Sequence, residues 1–324
     1  GLVLKASLPG WMGVHLFFVL SGFLITGILI ESRQQTHYFR RFYMRRALRI
    51  LPACYTLLVL LYVVAHAPLG FIALGFFYMA NLTDFFGVTM AYGPLWSLAV
   101  EEHYYLAWPM VVRFVNQRRL AYISTAIILA SPILRGIAFY SGHARRIDWY
   151  TWFVLDGLAA GSLVAVILRS RITRQQVVAL CGGLLAFAIA AGGLGAPYGI
   201  LTRQRLAGAA FQYTLFTIIA TVVLLASLLL GSSSHRYYVN NRVLGFFRYI
   251  SYGLYLIHLA VFRAYDQLCE RFADFLSPRD WRFDLVLLRF VIAGGMSVLL
   301  AYISRRYYEE MFLRMKEGFA PKKP

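Results

Sequence analysis

Apolar runs of about 18–25 residues recur along almost the whole of this 324-residue chain. At 1.5 Å per residue, about 20 residues of helix cross the ~30 Å hydrocarbon layer of a bilayer, so the runs read as membrane spans. Only 14% of the residues are charged and 60% are hydrophobic, against about a quarter charged in a soluble domain. The longest polar stretches, 31–49 and 305–324, leave no room for a separate soluble domain. The expected fold is all-α: a polytopic transmembrane helical bundle forming a single membrane domain over 1–324.

Spans are expected at 11–30, 49–66, 97–115, 120–140, 150–168, 177–195, 207–230, 246–264 and 285–304. The run 69–86 is ambiguous, because it is short, contains two glycines and ends in polar residues. The positive-inside rule decides its topology. If it does not cross and 31–48 is cytoplasmic, the inner connections and tail hold 21 Lys and Arg. The other side holds 10, counting Arg135, while Arg289 sits within the last span. Acidic residues run the other way, 4 inside and 10 outside, the ten including Asp156. Letting 69–86 cross would break this bias after residue 96. About nine spans are therefore expected, plus one short re-entrant or interfacial segment on the outer side. Gly1 then lies outside and the Pro324 end is cytoplasmic. An external start with an odd number of spans implies a further helix upstream of Gly1. The net charge of +18 is read as membrane orientation, with no nucleic-acid partner. Three widely spaced cysteines support neither a disulfide framework nor a metal site. Asn81-Leu82-Thr83 matches a glycosylation acceptor, a tripeptide that chance readily supplies.

Residues 96–109 place two adjacent carboxylates, Glu101 and Glu102, at the mouth of a strongly apolar run. An ionised carboxylate costs several kcal/mol in hydrocarbon, so such residues are rare there and commonly functional. On a helix Glu101, Tyr105 and Trp108 share a face at i, i+4, i+7. Glu101 can then take a proton or orient a histidine, and Tyr105 can donate a hydrogen bond. The competing reading has Glu102 facing water and Glu101 capping the helix or pairing with an arginine.

Between the first two spans stand six arginines and no lysine within 17 residues, interleaved with Tyr38, Phe39, Phe42 and Tyr43. Guanidinium groups grip phosphates through paired planar hydrogen bonds, and a base can stack on such rings. Arg45, Arg46 and Arg49 fall within one helical turn of one another and offer one cationic face. Arg41, Arg45, Arg46 and Arg49 are therefore candidates for a phosphate-rich donor; the alternative is that they only fix orientation and meet anionic headgroups.

His258 lies about mid-membrane, on a stripe Ser251, Tyr255, His258 that must face protein or a cavity. It is either a packed, hydrogen-bonded histidine or a catalytic one. Ser21 and Gly22, followed by Thr26 and Gly27, suit close helix packing better than a nucleophile. The chain has no Gly-x-Ser-x-Gly elbow, so a serine acyl-enzyme is not expected.

Four segments occur in order: Gly13-Val-His-Leu-Phe-Phe-Val-Leu-Ser-Gly-Phe-Leu-Ile-Thr26, Arg46-Ala-Leu-Arg49-Ile-Leu-Pro52, Trp96-Ser-Leu-Ala-Val-Glu-Glu102 through Tyr105, and Ser251-Tyr-Gly-Leu-Tyr-Leu-Ile-His258. Together they resemble the membrane acyltransferase-3 family, the bacterial integral-membrane O-acyltransferases. The resemblance implies transfer of an acetyl or short acyl group from cytoplasmic acyl-CoA to a hydroxyl of a cell-surface glycan, in the bacterial inner membrane. Acyl-CoA would be a donor substrate, with no permanently bound cofactor and no metal. It implies that Arg46 and Arg49 act through the donor. It also implies an active region in the Trp-Ser-Leu-x-x-Glu segment. Glu101, Glu102, Tyr105 and His258 become the catalytic candidates, and Trp96, Ser97 and Tyr255 the acceptor-binding ones. The family pattern also carries an Arg and a catalytic His on a helix before residue 1, and has Asp where His15 stands here. The runner-up, a transporter or flippase for a lipid-linked sugar, should show internal repeats; the two halves show no self-similarity.

Overall fold

A computed structural model describes residues 2–143, 147–230, 241–272 and 283–315, with side chains from Met12 onward. Every regular element in it is helical. In chain order these are α1 (Leu2–Ser32), α2 (Tyr38–Val63), α3 (Leu69–Phe76), a 3₁₀ turn (Ala80–Leu82), α4 (Leu95–Phe114), α5 (Gln117–Tyr140), α6 (Thr151–Ile167), α7 (Arg174–Gly195) and α8 (Leu206–Leu229). After them come α9 (Arg242–Phe272), α10 (Phe283–Ile303), a π-helical turn (Ser304–Glu309) and α11 (Glu310–Met315).

A helix stands at each of the nine expected spans. Among the described residues, seven are long and apolar enough to cross a membrane. The other two are α4, which carries Glu101, Glu102, His103 and Arg113, and α6, which has only 17 residues. The run 69–86 forms the eight-residue α3 and the 3₁₀ turn. At 1.5 Å per residue α3 rises only about 12 Å, well short of a crossing.

The chain folds into two compact units. The first comprises α1, the 3₁₀ turn and α4–α8. Its tightest seam joins α1 to α6: a Cβ at Gly22 would stand 1.9 Å from the Leu158 carbonyl oxygen, and one at Gly161 1.9 Å from that of Val19. Only glycine lets these backbones touch, which realises the packing role read for Gly22. α5 packs on α6 and α8, and α7 covers α8. Arg33 and Arg113 bond each other's carbonyl oxygens, tying the end of α1 to the end of α4. Arg33 is thus engaged in the first unit, whereas the other five arginines of its segment lie on α2 in the second.

Two charges counted among the outer residues lie elsewhere. Arg135 and Asp156 are both fully buried, on α5 and α6, and pair at 3.0 Å. α5 runs on to Tyr140, so Arg135 points into the packed interior five residues before its end. Asn81 is buried, and its amide donates to Thr151 Oγ1 at 2.9 Å; it is a packing residue.

The second unit comprises α2, α3, residues 91–94, α9, α10, the π-helical turn and α11. α9 and α10 form a helical pair. Arg289, the charge within the last span, is neutralised there by a two-pronged bond to Asp266, both arms at 2.7 Å.

Candidate active site

α4 begins directly after Pro94, where a missing N–H is no loss to a helix. Its first two turns, Leu95 to Glu101, are buried. Glu101 is 2% exposed, and its Oε1 accepts a hydrogen bond from the Tyr105 hydroxyl at 2.8 Å. The i, i+4 face read from the sequence therefore exists between these two residues. Trp108, the third member, turns its indole N–H to Thr26 Oγ1 at 2.8 Å instead. Glu102 is half-buried. Ser97 is fully buried, and Trp96 meets Phe18 edge to face with ring centres 6.0 Å apart. His103 lies 2.7 Å from Thr151 at the start of α6.

Beside Glu101, a polar chain absent from the sequence reading runs through the first unit. Tyr104 stacks on Trp108, and its hydroxyl lies 2.5 Å from Ser162 Oγ. Ser162 in turn accepts from Thr26 at 2.7 Å. Further along, Arg135 donates to the carbonyls of Phe153 and Ala210 and to Thr214, besides pairing with Asp156. His15 lies 3.2 Å from Thr217. Tyr213 donates to Asp148 at 2.7 Å, and Arg203 bonds both Asp148 and Tyr213. Every buried charge here has a partner, as the low dielectric requires. The one available sequence signal was Asp156 itself, the lone charge in the 151–167 span.

In the second unit, Arg41, Arg45 and Arg46 are half-buried and Arg49 is exposed along the first three turns of α2. Phe39 and Tyr43 stack with ring planes 11° apart on the same stretch. Residues 91–94 lie along α9. The Tyr255 hydroxyl donates to the Pro94 carbonyl at 3.3 Å, and Arg263 to that of Ala91 at 2.7 Å. The Tyr92 hydroxyl lies between the Leu256 carbonyl and the Ala260 amide, on either side of His258 in sequence. Burial pushes the Tyr92 hydroxyl up to about 12, so it stays a donor at neutral pH. His258 is half-buried; its Nδ1 is 2.7 Å from the Tyr255 carbonyl, and the two rings are 5.9 Å apart. Ser251 departs from the expected stripe. It is exposed and bonds the Arg248 carbonyl of its own helix, because α9 starts at Arg242 and carries Ser251 on an outward face.

The structure thus pairs Glu101 with Tyr105 in one unit and Tyr255 with His258 in the other. Trp96, Ser97 and Glu102 share the first unit, and the four arginines the second.

The family described as an acyltransferase domain (Acyl_transf_3) matches residues 9–306, and the chain belongs to it. The peptidoglycan O-acetyltransferase OatA of Listeria monocytogenes is 27% identical over 353 aligned residues, taking in 97% of this chain and 54% of the relative. The O-acetyltransferase OatA of Staphylococcus aureus is 30% identical over 345, taking in 96% and 53%. The chain spans about half the length of these relatives. No solved structure matches it.

Proposed function

We propose, from the chain's place among the acyltransferases, that it is a membrane O-acetyltransferase. It would move an acetyl or other short acyl group from cytoplasmic acyl-CoA to a hydroxyl of a cell-wall glycan. The peptidoglycan and O-acetyl activities carried in the names of its relatives support the acceptor class. Supporting the donor are the four arginines on α2, with stacked Phe39 and Tyr43 among them. Planar guanidinium groups suit the phosphates of a nucleotide-bearing thioester, and aromatic rings its base.

The observation that carries the chemistry is Glu101, a buried carboxylate with one oxygen already held by Tyr105 at 2.8 Å. In this reading the acceptor oxygen attacks the thioester carbonyl while the other carboxylate oxygen takes its proton. The C–S bond then breaks, and the leaving CoA thiolate takes up that proton, returning Glu101 to its carboxylate form. Tyr105, its proton given to Oε1, keeps the carboxylate in one orientation. Trp96 and Ser97, on the preceding turn, are the acceptor-binding candidates of the first unit, and Tyr255 is that of the second. His258 is the candidate proton carrier of the second unit. The protein sits in the bacterial inner membrane with its arginines and its Pro324 end towards the cytoplasm, as the 21-to-10 distribution of Lys and Arg favours.

The test is CoA release from acetyl-CoA by the purified protein in nanodiscs, with a peptidoglycan oligosaccharide as acceptor. Glu101→Gln should abolish acceptor-dependent release, and Arg46→Ala should raise the donor KM. Equal rates in wild type and both variants reject the assignment.

A further inference from the structure

The tail of the last span carries a carboxylate that the reaction above does not use. Glu309 is 4% exposed and closes a π-helical turn, Ser304–Glu309, between α10 and α11. Such turns cost helix geometry and recur where a side chain must be aimed. Its Oε1 accepts from Ser304 at 3.3 Å, and Oε2 lies 3.8 Å from Arg305. Oε1 also rests on α9 at Gly253, where an added Cβ would stand 3.1 Å from it.

Two further bonds bring this carboxylate to the arginines of α2. Tyr252, the residue before Gly253, donates to the carbonyl of Ile50 at 2.9 Å. Thr56 on α2 donates to the hydroxyl of Tyr308, the residue before Glu309, at 2.9 Å. Ile50 directly follows Arg49, and Arg49 lies within electrostatic range of Glu309. Arg49 is exposed while Glu309 is buried, so an attraction between them acts from the protein side and leaves the outer side of the guanidinium to solvent.

We propose that Glu309 is a positioning residue for Arg49, fixing its guanidinium so that the chain grips the phosphates of acyl-CoA. The proposal rests on the donor reading above. Gly253 then has a specific task in its motif, leaving room for the Glu309 carboxylate between α9 and the π-helical turn. An arginine held from behind binds a phosphate without first losing the freedom of its own side chain.

The test uses the full chain in nanodiscs with CoA and acetyl-CoA as probes. Glu309→Gln keeps the shape and removes the charge. It should weaken CoA binding and raise the donor KM by about tenfold, one hydrogen bond's worth of affinity. The acceptor KM and kcat should stay within about twofold, and Glu309→Asp should recover most of the loss. Adding Arg49→Lys to Glu309→Gln should cost less than the two separate losses combined, since coupled residues are not additive. A lower melting temperature with CoA affinity unchanged would make Glu309 a structural residue and overturn the proposal; so would full additivity with Arg49→Lys. If the wild-type chain itself binds no CoA, the donor reading falls, and this inference with it.

Discussion

Tyr92 donates its hydroxyl proton to the carbonyl oxygen of Leu256 at 2.8 Å. The Tyr92 hydroxyl oxygen in turn accepts from the amide of Ala260 at 3.1 Å. Leu256 and Ala260 are the acceptor and donor that an undisturbed helix pairs with each other. A side chain inserted at such a point bends a helix and fixes where it bends, and the residue at the centre of that turn is His258. Tyr92→Phe should therefore cost about 1 kcal/mol and speed amide exchange at 256–260. Hydrogen–deuterium exchange on the nanodisc-embedded protein checks this, and unchanged exchange would contradict it. The pH dependence has a definite sign. Burial holds the hydroxyl up at about 12, while an unfolded tyrosine ionises near 10. Its contribution is complete below about pH 10 and is lost as pH rises towards 12. The phenylalanine variant should lose that part of the alkaline destabilisation.

Glu101→Gln retains an acceptor for the Tyr105 hydroxyl but not a base. Acetyl transfer should fall by about 10²-fold or more with the melting temperature within a few degrees of wild type. Tyr105→Phe, which removes that one hydrogen bond, should fall by about tenfold. Release of CoA thiol reads both. A Gln variant at wild-type rate would remove Glu101 from the chemistry.

Arg135 and Asp156 form a fully buried pair. Breaking it from one side leaves an uncompensated charge at a cost of about 3–5 kcal/mol. Asp156→Asn or Arg135→Met alone should sharply lower the folded yield. Arg135→Met with Asp156→Leu should recover much of it, because the pair is then replaced by apolar surface of similar size. Size-exclusion profiles in detergent distinguish the three variants.

Gly161→Ala should be among the most damaging single-methyl changes in the chain. Its Cβ would lie 1.9 Å from the Val19 carbonyl, and backbone cannot yield as a side-chain tip can. Gly182→Ala, with nothing within 4 Å of the added carbon, is the control and should be neutral. Thermal denaturation of both proteins, expressed alike, tests the contrast.

Hydropathy and helical spacing located the helices and the Glu101–Tyr105 pair, because both are local properties of one helix. Partners on other helices could not be read the same way. Spacing puts Trp108 on the face of Glu101, but its N–H goes to Thr26 of α1. Arg135 and Asp156 fall on the outer side of the charge tally by their place in the sequence; only their pairing across α5 and α6 makes burial tolerable. Ser251 kept its expected spacing but lies on an outward face of α9. Glu309 is one of the four acidic residues counted on the inner side. What sets it apart is a π-helical turn that no residue pattern in the tail announces.

The glycine contacts between α1 and α6 also limit how this machine can move. Carbonyls seated against bare Cα atoms leave no side-chain layer to act as a bearing, so these two helices cannot slide or roll past each other. Any breathing of the first unit that admits or releases a reactant must be taken up at looser margins, such as α7, whose surface is largely uncovered. The α1–α6 seam is the unit's fixed axle.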